Sequence, residues 1–216
     1  MKISDRLLTI ASFVHVGANV IDVGADHGLL EKYLLDNKKV NSILAVENKP
    51  GPFKILANNL RGYNVVLSLS DGLEAMNETV DTIVIAGMGG NLIMDILLKD
   101  VQKLNGVKQI IVDAHRDAEL VRREIHELGY RIEKEKIVVD KGIFYFIISF
   151  VKGDFIYKDI ELEWGVDANK DPLFQQFKAQ ELKRLTTILC AQKQAKATKI
   201  NNIDSIQSKI ERLKTL

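Results

Sequence analysis

The sequence holds a single cysteine, Cys190, so no internal disulfide can staple the fold, and a reducing, cytoplasmic setting is expected. There is no apolar run near the roughly 20 residues that span a bilayer. There is also no basic stretch leading into a short apolar core at the start, so neither a membrane span nor a signal peptide is read. The four histidines and one cysteine show no ligand spacing, and no metal is expected. Net charge is only +1, but that value averages two unequal parts. Residues 173–216 carry nine Lys and Arg against three acids, a net of +6, which leaves −5 for residues 1–172. A basic tail on a mildly acidic body suits a polyanionic partner, and equally a solvated helical surface.

What the chain does have is rhythm. Its 216 residues, 46% of them hydrophobic and 27% charged, suit one α/β domain with a small addition. Ile3, Leu7, Ile10, Ala11 and Val14 recur at helical spacing behind Ser4, a natural cap. Short unbroken apolar runs then alternate with helical patterns: Val20–Val23, Ile43–Val46, Val65–Leu69, Thr82–Ile85 and Gln109–Val112. Such runs are strands covered on both faces, as in a parallel sheet between helices. The helix after the fourth run carries Leu92, Ile93, Ile96, Leu97, Val101 and Leu104. Tyr130–Val139 and Ile143–Val151 have only Asp140-Lys141-Gly142 between them and read as an antiparallel hairpin. The predicted domain is therefore a Rossmann-like, doubly wound sheet with an antiparallel last strand over residues 1–158. Beyond Asp171-Pro172, Phe174, Phe177, Leu185, Ile188 and Leu189 form one stripe. Asn201-Asn202 interrupts, and Ile203, Ile206, Ile210 and Leu213 form a second. Residues 159–216 are thus expected to form a small helical coiled-coil domain of two antiparallel helices, or else an arm that pairs with another copy.

In open α/β sheets ligands bind beyond the carboxyl ends of the strands. Asp26, Glu47, Asp71, Gly87 and Asp113 all fall at such ends. The most telling stretch is Val20-Ile21-Asp22-Val23-Gly24-Ala25-Asp26-His27-Gly28, where a strand meets a glycine turn and a helix N-terminus. Its Gly24-x-x-x-Gly28 spacing fails the G-x-G-x-x-G of nicotinamide dinucleotide sites. Asp22 and Asp26 would repel a phosphate and attract a cation or an amino group. An acidic turn of this kind suits S-adenosylmethionine, which carries an ammonium and a sulfonium charge. Glu47, with Asn48 beside it, is placed to accept both ribose hydroxyls, and Asp71, in Ser70-Asp71-Gly72, the adenine amino group.

Ala86-Gly87-Met88-Gly89-Gly90 places three glycines in four positions between a buried strand and a strong helix, which calls for some close approach. The Asn-Pro-Pro-Tyr of enzymes that methylate exocyclic base amines is missing there. With Ser4-Asp5-Arg6-Leu7, Asp22-Val23-Gly24-Ala25-Asp26-His27, Gly51-Pro52, Asp71-Gly72, Ile85-Ala86-Gly87-Met88-Gly89-Gly90 and the late Gly142 and Tyr145, the chain resembles the bacterial tRNA (adenine 22-N1)-methyltransferase family, TrmK. The likeness covers nearly the whole length. It departs at Ala25, at Gly28, and at Asp113-Ala114-His115, where the family usually has Gln-Pro-Asn.

The resemblance implies a class I S-adenosylmethionine-dependent methyltransferase fold, tRNA as substrate and methylation of adenine N1. The cofactor-binding set is then Asp22, Gly24, Ala25, Asp26, His27, Glu47, Asn48, Ser70, Asp71, Gly72, Ala86, Gly87 and Met88. Adenine N1 has an in-plane lone pair and needs no prior deprotonation, and its methylated product is cationic. A carboxylate beside the base would stabilise that charge or take a proton from the amino group. Asp26 is the candidate catalytic residue, its rival reading being a helix N-cap. His27 fits a base-orienting role or a satisfied buried position. Arg6, Met88, Gly89, Gly90, Asp113 and His115 are candidates for contact with the target nucleotide. Lys183, Arg184 and Lys193, with Lys178, Lys196 and Lys199, are candidates for tRNA phosphates. Trp164, Phe174 and Phe177 read as core more readily than as stacking platforms. Rival functions are a methyltransferase of the same fold acting on a small molecule and a non-catalytic RNA-binding protein. A monomer or weak dimer is expected.

Overall fold

In the computed structural model, which describes residues 3–194 and 200–216, the chain divides into two compact units, Met1–Ile156 and Tyr157–Leu216. The first is built on one sheet of β1 (Ala18–Val23), β2 (Val40–Glu47), β3 (Val66–Leu69), β4 (Thr82–Met88), β5 (Gln109–Ala114), β6 (Tyr130–Asp140) and β7 (Ile143–Lys152). The strand order is β3-β2-β1-β4-β5-β7-β6. β1 through β5 run parallel, while β7 is antiparallel to both neighbours. The hairpin turn forms at Lys141 and Gly142, both at positive φ, which matches the right-handed twist of the paired strands. The returning strand β7, not β6, docks on β5, and β6 takes the edge.

Helices cover both faces. α1 (Asp5–Phe13), α2 (Leu29–Asp36) and α3 (Pro50–Asn59) deliver Ile10, Phe13, Leu30, Leu34 and Leu56 onto Val20, Val84, Ile111 and Ile147. α4 (Gly90–Lys99) packs on β4 and β5 and against α5 (Ala118–Glu127). Asp22 lies two residues after Val20, so the period-2 alternation of a strand puts it on the face that α2 covers. The chain reverses its winding between β1 and β4, which opens a crevice above their carboxyl ends.

Several expected boundaries shift by a few residues, and two of the shifts have a clear cause. β4 does not stop at Ile85 but continues through Ala86 and Gly87 to Met88, with a register shift between Ala86 and Met88 where Gly87 takes φ +74°. The helix expected to reach Leu104 ends at Lys99, and Val101–Gly106 winds as a 3₁₀ turn. Tertiary contacts decide this: the Tyr130 hydroxyl donates to the carbonyls of Leu104 and Val107, and Lys103 Nζ donates to those of Leu73 and Glu74.

The second unit holds α6 (Asp159–Trp164), α7 (Phe174–Gln194) and α8 (Ile200–Thr215). Among the described residues, Trp164, Phe174, Leu185, Ile210 and Leu213 are its buried apolar ones. Glu163, buried beside them, accepts two hydrogen bonds from Arg212, at 2.6 and 2.8 Å. Lys178 near the start of α7 donates to the Lys214 carbonyl near the end of α8, which makes the two helices antiparallel. α8 begins at Ile200, so Asn201-Asn202 lie inside its first turn rather than between the helices. Lys196 and Lys199 lie outside the described residues.

Arg122 on α5 and Glu135 on β6 form a buried pair, with Arg122 Nε 3.0 Å from the carboxylate and the guanidinium over the Phe146 ring. Removing one partner of such a pair leaves a buried charge uncompensated. Glu135→Ala is expected to lower unfolding free energy by about 3–5 kcal/mol, measured by urea denaturation.

Candidate functional site

The turn after β1 is built from residues that tolerate unusual backbone. Gly24 takes φ +81° and Gly28 φ +72°, and between them Asp26 sits at φ +49°, unusual for a residue with a side chain. A Cβ on Gly28 would meet Leu60 Cγ at 2.8 Å, so the close approach of α3 to this turn requires glycine. The amides of Gly24 and Ala25 both donate to the Val46 carbonyl, at 2.9 and 3.1 Å. They tie β1 to β2 and are not the open N–H cradle that the strand–turn–helix pattern suggests. The turn is left acidic rather than anion-binding.

Above it lies a cavity of about 550 Å³. All thirteen residues of the expected cofactor set line it, together with Arg6, Lys49, Pro52, Leu92 and Ile96. At its floor Asp22 is only 5% exposed, and burial pushes its carboxyl up to about 7. Glu47 closes β2 as a nearly buried carboxylate, and its Oε1 accepts from the Lys49 amide at 3.0 Å. Asp71 is held from two sides, by Asn48 Nδ2 at 3.2 Å and by Lys99 Nζ at 3.1 Å. The hydrogen bonds from Lys99 and Asn48 hold its carboxyl below the ordinary value. The Ser70 hydroxyl is paired with that of Ser68 at 2.9 Å. A Cβ on Gly24 would fall 2.6 Å from Met88 Cε, so the methionine lies directly over the turn.

Asp26 and His27 stand at the rim. The Asp26 side chain is 69% exposed, and the N-cap of α2 is Gly28, so its carboxylate is not consumed as a helix cap. His27 is 42% exposed, with Nε2 3.7 Å from Asp26, and is not the satisfied core histidine of the rival reading.

On the β5 side Asp113 is fully buried and accepts from Arg6 Nη1 at 2.5 Å. The Arg6 guanidinium lies 5.1 Å from the Tyr145 ring, whose edge meets His115 at 6.2 Å. Arg6 therefore reaches the cavity, whereas Asp113 stands behind it, and His115 is set back with Tyr145. Gly89 and Gly90 do not line the cavity either. Gly90 is needed for packing, since a Cβ there would lie 2.7 Å from the Asp117 carbonyl. Lys183, Arg184 and Lys193 project from α7 as exposed residues of the second unit, with Arg184 paired to Glu181 at 2.6 Å. Trp164 and Phe174 are core, in ring contact with Phe177.

Three residues escaped the sequence reading of the site. Glu31 is fully buried on α2, next to Asp22. Its only signal is an acid three residues before Leu34, on the buried stripe of α2. Lys99 reaches Asp71 from the end of α4 and leaves no local signature, and Tyr145, named above only among the residues that carry the family resemblance, packs Arg6 from β7. Among the described residues no group of three or more His, Cys, Asp and Glu is arranged to hold a metal ion, and no helix is long and apolar enough to cross a membrane.

Comparison with known proteins gives the architecture a family. The methyltransferase-domain family profile matches residues 3–148. The tRNA (adenine(22)-N(1))-methyltransferase of Bacillus subtilis is 31% identical, covering 99% of this chain and 96% of the relative. This chain belongs to that family. The crystal structure of the B. subtilis M1A22 tRNA methyltransferase TrmK superposes with a TM-score of 0.90 at 28% identity, over 99% of this chain and 98% of that one. A Streptococcus pneumoniae relative, crystallised in complex with S-adenosyl-L-methionine, does so at 0.89 and 29%, over 99% of each chain.

Because burial raises the Asp22 carboxyl from its ordinary 3.8 to about 7, the folded state binds a proton there more tightly than the unfolded chain does. Its contribution favours the fold most at low pH and declines as pH rises from about 4 to about 7. Asp22→Asn is expected to flatten that part of the stability profile and to raise stability at pH 8 by about 1–3 kcal/mol, as read by thermal unfolding across pH.

Proposed function

We propose that this chain is a cytoplasmic S-adenosylmethionine-dependent methyltransferase that modifies N1 of adenine 22 in tRNA. The observation that carries the reading is the acid-lined cavity above β1, β2, β3 and β4 in a chain of this family. The cavity fits the methyl donor by its donor set. Asp22 lies at the floor without a cation, Glu47 at the tip of β2 has acceptor oxygens for ribose hydroxyls, and Asp71 at the tip of β3 is an oriented carboxylate for an adenine amino group. Leu92, Ile96 and Pro52 add apolar walls for a purine. When bound, S-adenosylmethionine supplies an electrophilic methyl group on a cationic sulfur.

The chain's own residues provide the rest. Asp26, exposed at the rim and not engaged as a cap, presents a carboxylate where the target base arrives. It accepts a hydrogen bond or a proton from the adenine amino group, which matches the positive charge that methylation places on the ring. His27 stands beside it to orient the base. Arg6, fixed by Asp113 and by the Tyr145 face, borders the same opening and holds the substrate strand there. The exposed cations of α7 (Lys183, Arg184 and Lys193) supply phosphate contacts and hence affinity without base choice. Adenine N1 lies on the Watson–Crick edge, so the target must be unpaired or extruded before it enters.

Incubation with labelled methyl donor and unmodified tRNA, followed by primer extension, tests the reading: arrest at adenine 22 is expected, and label on an exocyclic amine or on no nucleotide refutes it. Asp26→Asn is expected to lower the single-turnover rate by about 100-fold or more while S-adenosylhomocysteine affinity changes less than tenfold, measured by rapid quench and calorimetry. Charge reversal at Lys183 and Lys193 is expected to weaken tRNA binding and to lessen its salt dependence by about one unit of log–log slope for each phosphate no longer neutralised, with turnover of saturating tRNA preserved.

A further inference from the structure

Glu31 has no part in the chemistry above, yet it is an acid buried without exposure to solvent. Its side chain is wholly shielded from solvent, and neither Oε1 nor Oε2 accepts a hydrogen bond from any donor. The titratable and charged groups on the elements around it are Asp22 on β1, Asp26 and His27 in the following turn, Asp5 and Arg6 on α1 and Glu47 on β2. Only Asp22 and Asp26 interact with Glu31 electrostatically, and both are acids. Arg6 is turned away onto Asp113. An ionised carboxylate in such a place would lack solvent and counter-ion, and the one donor near it, its own backbone amide, is outweighed by burial and by the facing acids. The group resolves this by keeping its proton. A protonated carboxyl then has an O–H to donate, and the acceptor that faces it is the Asp22 carboxylate.

We propose that Glu31 is a positioning residue for the methyl donor: it acts as a neutral carboxylic acid that donates its O–H to Asp22, so that Asp22 faces the cavity as one fixed anion for the ammonium group of the donor's amino-acid moiety. This rests on the methyl-donor reading of the cavity and extends it to a residue that never touches the ligand. Asp22 is shared between a buried O–H behind it and the cavity in front, and no Lys, Arg or His competes for it among the described residues. Burial on its own drives Asp22 toward the protonated form, and the hydrogen bond from Glu31 opposes that drive. Without that hydrogen bond, Asp22 would be neutral over more of the physiological range and would lose its attraction for the ammonium. Glu31 thereby sets the pH above which the site is charged.

Calorimetric titration of the full-length protein with S-adenosylhomocysteine between pH 5.5 and 8 tests this, since that ligand has the same ammonium group. Wild-type affinity is expected to rise about tenfold per pH unit below about 7 and then to level off, as binding requires the ionised Asp22. Glu31→Gln, whose amide N–H replaces the O–H, is expected to keep that profile. Glu31→Leu is expected to move the midpoint up by a pH unit or more and to weaken binding about tenfold at pH 7. An infrared difference spectrum of wild type against Glu31→Gln at pH 8 is expected to contain the carbonyl stretch of a protonated carboxylic acid. A Glu31→Leu profile that overlays wild type, a Glu31→Gln profile that follows Glu31→Leu, or a missing carboxylic-acid band overturns the proposal even if the leucine variant fails to fold. Absence of ligand binding by wild type at every pH overturns the methyl-donor reading itself.

Discussion

Two carboxyl groups buried side by side with no cation in reach carry a free-energy penalty of a few kcal/mol in a protein interior. Asp22 and Glu31 are such a pair, and the packing around them is what keeps it in place. Asp22 is committed to the α2 face by the pleat of β1, and Glu31 is committed to the same place by the register of α2 on the sheet. Glu31 is wholly shielded from solvent, and Asp22 opens only onto the cavity floor. Stability is thus given up at the one point where a cationic ligand restores it, a common feature of functional sites.

The rest of the site is arranged so that this negative charge stays available. Arg6, the cation that α1 brings to the cavity, is held by Asp113 and laid on Tyr145, which removes it from Asp22. Lys99 is held by Asp71 and Glu74. The amides at the β1 turn, which in phosphate-binding folds face the ligand, are engaged with Val46. Each arrangement settles a cation or a donor elsewhere, and the floor of the cavity remains anionic.

Much of this was legible locally. The parallel strands announce themselves as unbroken apolar runs, the hairpin by its Lys141-Gly142 turn, and the ligand end of the sheet by acids at successive strand tips. The thirteen residues read as a cofactor set line one cavity because strand ends in a parallel sheet all open on the same edge. The readings that did not carry over depended on distant chain. Gly90 looked like part of a ligand loop but serves the approach of Asp117, Asp113 looked like a base contact but holds Arg6, and the helix expected to reach Leu104 is cut short by bonds from Tyr130 and Lys103.

From its amino acids alone the chain determined its alternating architecture, its acid-tipped sheet edge and its basic, two-helix end, because each depends on residue type and short spacing. Tertiary structure decided which side chains act together. The protonation of Glu31, the capture of Arg6 and the release of Asp26 from capping arise only when elements far apart in sequence are packed at ångström range. Desolvation and hydrogen bonding depend on that packing and on nothing that a run of neighbouring residues can specify.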